Sequence, residues 1–271
     1  MGLKVFVHKP TIKTRYRWLV VVNIVDSLSC KYKGSATSSN PIEAYIKAVA
    51  ELGESLICSS LNFGNRSGIA AGLLTSQAIV RAKSELIERD AFLYHYRNAI
   101  PFTAVKEIDD NDGLLAFQMQ SAEKNYYSYL VTDVKCSTGA SECLLFGTGC
   151  HPSEKIAIEK AVQEYVSIAL NHELKPEWCN GNSNEQLQHK SLTDRHHFAS
   201  RDFRNIERFR LLCLVREPAG PRPNVGDDWK ITRLSSPLRF FNFVYVQNES
   251  LISMTFGEFE RIEGDLLHPF W

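Results

Sequence analysis

The chain has 271 residues, of which 44% are hydrophobic and 23% charged, as is typical of a soluble globular protein. Lys+Arg and Asp+Glu both number 31, so no net field favours nucleic acid or an anionic membrane as a partner. No apolar run approaches the roughly 20 residues needed to span a bilayer. The seven cysteines are odd in number and contain no CxxC pair, which indicates neither a disulfide framework nor a zinc site. We expect a reducing, cytoplasmic location.

The beginning of the chain predicts a lead-in, a strand and a loop within a single domain over 1–271. Residues 1–17 are polar and basic and are expected to be flexible. The β-branched run Trp18–Val25 predicts a buried strand. The small and polar residues KYKGSATSSNP that follow predict a loop.

The first predicted helix has a strong start signal. Asn40 stands at the cap position, Pro41 in the first turn and Glu43 at the third helical position. The helix is expected to run through Ala44–Leu56. It carries Glu51 and Glu54, which lie three residues apart and therefore share one face.

The central stretch of the chain, over residues 68–90, reads GIAAGLLTSQAIVRAKSELIERD. It predicts a small-residue loop and then a helix capped by Thr75 or Ser76. Apolar or small residues are spaced to face the core, namely Ile79, Ala82, Leu86 and Leu93. Glu85 and Glu88 repeat the ExxE spacing, which in isolation most often marks a solvated helix face.

The second half of the chain predicts two antiparallel strands over 126–134 and 143–148. His151-Pro152-Ser153 opens a third helix over 154–170, which bears Glu159, Lys160 and Glu164. Residues 175–208 are polar and predict a surface loop. Further strands are expected over 209–215 and 240–246.

Three helices thus each present carboxylates. If these six side chains converged on one cleft, they would repel and require cations. Carboxylate oxygens suit Mg²⁺, which commonly bridges protein carboxylates and nucleotide phosphates. Candidate phosphate contacts are the basic residues Lys33, Arg89 and Lys160. No GxxxxGK[ST] sequence occurs, so a nucleotide site here is not a P-loop.

The central motif resembles that of the YcaO family, in which a GxAAG loop leads into a helix carrying ExxER. The matching residues are Gly68 to Gly72 and Glu85-Leu86-Ile87-Glu88-Arg89. An earlier helix of the family also carries ExxER after a GKG-like loop, which Lys33-Gly34 and Glu51-Leu52-Gly53-Glu54 match in outline. The family's H-P turn and following acidic helix resemble residues 151–164. The similarity covers about residues 32–169.

The resemblance implies an α+β fold in which mixed or antiparallel sheets pack against the carboxylate-bearing helices. It implies ATP and Mg²⁺ as cofactors, with a metal set of Glu51, Glu54, Glu85, Glu88, Glu159 and Glu164. Members of the family activate a backbone amide of a ribosomally made precursor peptide by phosphorylating its oxygen. Azolines, amidines or thioamides result, as in cyclodehydratases of antibiotic biosynthesis. A partner protein for leader binding or activation is a further expectation, whereas nucleic acid and membrane are not expected.

The sequence also departs from the family pattern. Leu73 stands where Asn is common, Gln77 where a carboxylate is common, and Ser55 and Lys160 where Arg is usual. The family's N-terminal helix with nucleotide-contacting Lys and Ser is expected to be missing. A second hypothesis is therefore a degenerate subunit that positions a peptide or partner without ATP turnover. A third is an unrelated α+β protein whose helices happen to be acidic.

Overall fold

The computed structural model describes most of the chain, namely residues 2–8, 18–25, 30–61, 68–108, 113–138, 143–174, 203–214, 222–224, 226, 228–235 and 238–251. The strands within these ranges are β1 (Gly2–His8), β2 (Trp18–Val25), β3 (Cys30–Ser38), β4 (Ile69–Gly72), β5 (Ala104–Glu107), β6 (Leu114–Met119), β7 (Tyr127–Asp133), β8 (Phe146–His151), β9 (Lys230–Leu234) and β10 (Asn242–Gln247). The helices are α1 (Pro41–Ser60), α2 (Thr75–Asn98), α3 (Val134–Thr138), α4 (Glu154–Leu174) and α5 (Phe203–Cys213).

The strands form three sheets in which every described pair is antiparallel. The first sheet has the order β1-β2-β3, the second β4-β10-β9 and the third β5-β6-β7-β8. The structure therefore confirms the α+β class. Within the described residues, none of the helices combines the length and apolarity that crossing a membrane requires.

Each of the three long helices lies between two different sheets. Helix α1 packs Ala48 and Leu52 on the first sheet and Ala50 and Ile57 on the second. Helix α2 packs on the second sheet through Ala78 and Ala82 and on the third through residues that include Ala91, Phe92, Leu93 and Tyr96. Helix α4 packs on the third sheet and reaches Leu19 of the first. Helices and sheets therefore alternate around a common centre.

Local signals predicted these long helices correctly. The side chain of Asn40 accepts a hydrogen bond from the backbone N–H of Ile42 at 2.8 Å, so it caps α1 as expected. Ala82 and Leu93 are buried in α2, and Ile79 and Leu86 are partly buried. The strand over Trp18–Val25 and the antiparallel pair β7 and β8 are also confirmed.

Other predictions about the first half of the chain are wrong. Residues Gly2–His8 form β1 rather than a flexible lead-in, and the predicted loop after β2 is strand β3. Because β2 is hydrophobic on both faces and central in its sheet, it needs a hydrogen-bonding partner on each edge, and β1 and β3 supply them. The predicted loop over the GIAAG motif contains strand β4, and the N-cap of α2 is Leu74 rather than Thr75 or Ser76.

The second half of the chain brings two further corrections. Residues 203–213 form helix α5, where the sequence predicted a loop and then a strand from 209. The apolar residues Ile206, Phe209 and Leu212 recur every three residues and are buried against the aromatic cluster of α2 and the third sheet, which favours a helix. Strand β9 was not predicted. Most of the predicted 175–208 loop and the C-terminal residues 252–271 lie outside the described residues.

The approach of α4 to β8 depends on two glycines that flank Thr148. A Cβ at Gly147 would lie 2.1 Å from the backbone N of Tyr165, and one at Gly149 would lie 2.3 Å from the carbonyl O of Ala157. Both obstructing atoms belong to the backbone of α4. Only glycine at these positions lets the helix lie this close to the strand.

We predict that Gly147→Ala destabilises the protein by at least about 1–3 kcal/mol, because the added methyl group must push the α4 backbone away from β8. Thermal unfolding measures the effect. Gly226→Ala is the matched control, since a Cβ there would meet its nearest atom, Asp228 Oδ2, only at 3.4 Å. Equal melting temperatures for the two variants would contradict the close-packing argument.

Candidate functional site

The carboxylates of α1 are held by backbone N–H groups of two strands. Glu51 accepts a hydrogen bond from the N–H of Ser35 in β3 at 2.9 Å. Glu54 accepts one from the N–H of Ala71 in β4 at 2.8 Å. The ExxE spacing turns both side chains to the same side of α1, and the sheets on either side of the helix supply the donors. These carboxylates are therefore not a freely solvated helix face.

The carboxylates of α2 have different partners. Glu85 forms an ion pair with Arg89, one turn later, at 2.7 Å. Glu88 accepts a hydrogen bond from the hydroxyl of Thr148 at 2.7 Å. Thr148 lies in β8, so Glu88 connects α2 to the third sheet.

Thr148 also contacts Glu164 of α4. Its backbone N–H donates to Glu164 Oε2 at 2.6 Å, and its hydroxyl lies 2.9 Å from the same oxygen. One hydroxyl group thus lies within hydrogen-bond distance of two carboxyl groups from two helices. A hydroxyl carries a single hydrogen and can donate to only one of them at a time.

A proton on one of the two carboxyl groups would let both side-chain contacts be hydrogen bonds at once. With Glu88 protonated, its O–H would donate to Thr148 Oγ1 and the Thr148 hydroxyl would donate to Glu164. Burial raises the pKa of both Glu88 and Glu164, and the negative charge of Glu164 raises that of Glu88 further. These shifts favour the protonated form of the pair.

The α1 carboxylates belong to the same electrostatic cluster. Burial raises the pKa of Glu51 and that of Glu54 to about 7. The negative charge of Glu164 also raises the pKa of Glu51, and the negative charge of Glu85 also raises that of Glu54. The Glu51 side chain is exposed to solvent, although its carboxyl group lies among many protein atoms. Glu88 and Glu164 are also linked directly, because both lie within hydrogen-bond distance of the Thr148 hydroxyl. Five of the six predicted carboxylates therefore lie near one another, the sixth being Glu159.

Glu159 is the exception. It lies five residues before Glu164, which places the two side chains about 140° apart around α4. Its metal role remains a prediction.

The predicted cationic residues lie near these carboxylates. Lys33 lowers the pKa of Glu51, and Arg89 lowers those of Glu88 and Glu164 through its positive charge. Lys160 donates to the carbonyl of Cys150 at 3.2 Å, and burial lowers its pKa. Their contact with phosphate remains a prediction.

The donor set suits Mg²⁺, because carboxylate oxygens are hard ligands. Across the part of the chain that the structure describes, no three His, Cys, Asp or Glu side chains are grouped closely enough to hold a metal ion by themselves. Mg²⁺ usually binds one or two protein carboxylates and completes its shell with water and phosphate oxygens. A site with Glu88 and Glu164 as its two protein ligands matches this coordination preference.

Sequence reasoning missed two residues of this cluster. Thr148 carries no local signal beyond its position between two glycines. Arg81 could have been noticed because it lies four residues before Glu85 and therefore on the same face of α2. Its guanidinium is 3.7 Å from Glu54.

The residues that depart from the family pattern have structural roles of their own. Gln77 accepts a hydrogen bond from the N–H of Leu74 at 3.3 Å and so helps to cap α2. The side chain of Leu73 is exposed. Ser55 donates to the carbonyl of Lys33 at 3.3 Å, which ties α1 to β3.

Comparison with known proteins identifies the family. A family model described as YcaO cyclodehydratase, ATP- and Mg²⁺-binding, matches residues 59–234. The chain belongs to the YcaO family. None of the curated proteins compared with this YcaO chain matches it.

Solved structures with the same fold include three informative neighbours. A YcaO protein from Methanopyrus kandleri, bound with AMPPCP and Mg²⁺, superposes with a TM-score of 0.58 at 12% identity, over 92% of this chain and 85% of that one. A heterocyclase in complex with substrate and cofactor gives 0.58 at 14% identity, over 94% of this chain but only 51% of the heterocyclase. A chain of the E. coli microcin synthetase McbBCD complex gives 0.52 at 11% identity, over 90% and 86%. At these identities the likeness shows the fold.

We predict that Thr148→Val loosens Glu88 and Glu164 and weakens binding of Mn²⁺, used as a probe for Mg²⁺. Thr148→Ser keeps the hydroxyl and should retain affinity close to that of the wild type. Loss of an orienting outer contact typically costs about 10–100-fold in metal affinity. Electron paramagnetic resonance of Mn²⁺ measures the free ion. Equal affinity in Thr148→Val and the wild type would show that the shared hydroxyl does not organise the pair.

We predict that the metal-free protein becomes less stable as the pH rises from about 7 to 8.5. Carboxyl groups whose folded pKa is raised above the ordinary 4.5 keep protons that the unfolded chain has lost, so stability falls until the folded pKa is passed. This window lies above the ordinary pKa of 6.5 of the buried His95, which acts with the opposite sign at lower pH. Melting temperatures of the wild type and of Glu88→Gln test this. The wild type should show the steeper decline.

Proposed function

We propose that this YcaO protein uses ATP and Mg²⁺ to modify a backbone amide of a ribosomally made precursor peptide. The observation that carries the proposal is the Glu88–Thr148–Glu164 arrangement, in which two carboxyl groups from different helices lie within hydrogen-bond distance of one hydroxyl. Carboxyl groups release any protons they carry when they bind a divalent cation. Family membership supports ATP as the nucleotide.

The residues of the cleft have distinct roles in this proposal. Glu88 and Glu164 would hold Mg²⁺, with Glu51, Glu54 and Glu85 as the neighbouring carboxylates. Arg89, Lys160 and Lys33 would supply positive charge for the phosphate oxygens. When bound, ATP would supply the phosphoryl group that activates the amide oxygen, and Mg²⁺ would offset the phosphate charge. The protein contributes positioning and electrostatic compensation, which account for most of the catalysis in phosphoryl transfer.

The peptide substrate and a partner protein are further parts of the proposal. The heterocyclase with this fold was solved with its substrate, and the microcin synthetase is a multiprotein complex. By analogy we propose a precursor peptide as substrate and a second protein that binds its leader or completes the site. An azoline, amidine or thioamide product, an antibiotic peptide pathway and a cytoplasmic location belong to the same proposal.

The second candidate function is a subunit that positions a peptide or partner without ATP turnover. It is favoured by Gln77 and Leu73. The side chain of Gln77 is engaged in capping α2, and Leu73 offers no polar group to a ligand. Both stand where family members commonly place polar or charged groups.

We predict that the wild type binds Mg·AMPPCP and that Glu164→Gln weakens this binding by about 10–100-fold, the cost of losing a charged contact of 1.5–3 kcal/mol. Glu159→Gln is the matched control on the same helix. Its affinity should stay close to that of the wild type, because Glu159 points about 140° away. Isothermal titration calorimetry gives the affinities.

The pattern of the two variants separates the hypotheses. No binding by the wild type favours the non-hydrolysing subunit. Binding that Glu159→Gln weakens and Glu164→Gln does not would place the metal elsewhere on α4. Hydrolysis of ATP in the presence of the partner and peptide would exclude the hypothesis of a subunit without ATP turnover.

A further inference from the structure

Arg81 lies on α2, one turn before Glu85, and approaches Glu54 of α1. Its guanidinium Nη2 is 3.7 Å from Glu54 Oε1, which is within ion-pair distance but too long for a hydrogen bond. The side chain is 42% exposed, compared with 21% for its partner Glu54. The guanidinium is therefore accessible from the cleft.

The ion pair fixes the side of α2 on which the guanidinium lies. Arg81 belongs to α2 and Glu54 to α1, so their approach to 3.7 Å places the guanidinium between these two helices. Glu54 is itself held by the backbone N–H of Ala71, so its carboxylate is a fixed partner. Arg81 therefore lies on the side of α2 that faces the carboxylates of α1.

Arg81 has unused hydrogen-bonding capacity, in contrast to Arg89. Among the described residues, Arg81 donates no hydrogen bond, although a guanidinium has five N–H donors. Arg89 is 15% exposed and is engaged with Glu85 at 2.7 Å. Of the two arginines, Arg81 is the one whose donors are available to a ligand in the cleft.

We propose that Arg81 is a phosphate-binding residue, whose guanidinium contacts the phosphate oxygens of the bound nucleotide. This inference rests on the proposed function. The planar guanidinium suits phosphate because two parallel N–H groups can bind two oxygens. Its weak pairing with Glu54 holds it near the carboxylates without consuming its donors. Phosphate would replace a loose ion pair with direct hydrogen bonds.

The alternative role is neutralisation of the carboxylates alone. Removing a resident positive charge from an acidic cluster should strengthen the binding of a free divalent cation in either case. It should also weaken the binding of the anionic Mg·AMPPCP complex in either case. Only a phosphate-binding Arg81 makes a substitution that keeps the charge, Arg81→Lys, weaken the binding of Mg·AMPPCP as well.

The experiment compares wild type, Arg81→Met and Lys83→Met with two probes, Mn²⁺ alone and Mg·AMPPCP. Lys83→Met is the matched control, because it removes a positive charge from the same helix at a position about 200° around the axis from Arg81. Its Nζ lies 4.4 Å from the centre of the Trp229 ring rather than in the cleft. Arg81→Lys serves as a second variant, since it keeps the charge but loses the planar pair of donors.

Arg81→Met should bind Mn²⁺ at least as tightly as wild type and Mg·AMPPCP about tenfold or more weakly, whereas Lys83→Met should resemble wild type with both. Arg81→Lys should bind Mn²⁺ normally and Mg·AMPPCP more weakly. Wild-type Mg·AMPPCP affinity in Arg81→Lys, or equal or tighter binding by Arg81→Met, overturns the inference and leaves the proposed function standing. Absence of Mg·AMPPCP binding by the wild type removes the proposed function and the inference with it.

Discussion

The packing of three helices between three sheets brings the carboxylates of all three helices close together. The candidate site exists because of this arrangement. Each helix uses two of its sides to pack on sheets, through apolar residues such as Ala48, Ala82 and Val162. The remaining side faces the centre, and it carries carboxylates on all three helices. Because like charges in a poorly solvated volume repel, the metal-free protein must compensate by protonation, hydrogen bonding and resident cations.

The negative charges of the cluster are balanced in different ways. The α1 carboxylates receive backbone N–H groups from Ser35 and Ala71 and the nearby charge of Arg81. Glu85 has Arg89 as a direct partner. Glu88 and Glu164 share the Thr148 hydroxyl, and burial raises the pKa of both. The least compensated part of the cluster is therefore the part where a divalent cation gains most.

Sequence predicted what depends on local interactions. Helix α1 was predicted because the Asn40 cap and Pro41 are local signals, and the carboxylates were found because ExxE spacing fixes their common face. Strand β3 was missed because its small polar residues lack alternation, and it is a strand only because β2 needs a partner. Part of helix α5 was predicted as a strand, because a short run of apolar residues is compatible with either a helix or a strand. Thr148 and Arg81 acquire their roles from residues far away in the sequence.

The departures from the family pattern bear on the cleft through the same electrostatics. Gln77 contributes no charge where a carboxylate is common, and its side chain is engaged at the start of α2. The cluster therefore holds one negative charge fewer than the family pattern would give, and the positive charge of Arg81 lies beside Glu54. Both features reduce the attraction for free cations and increase that for anions. A site with this charge balance would attract a metal–phosphate complex more strongly than a free metal ion.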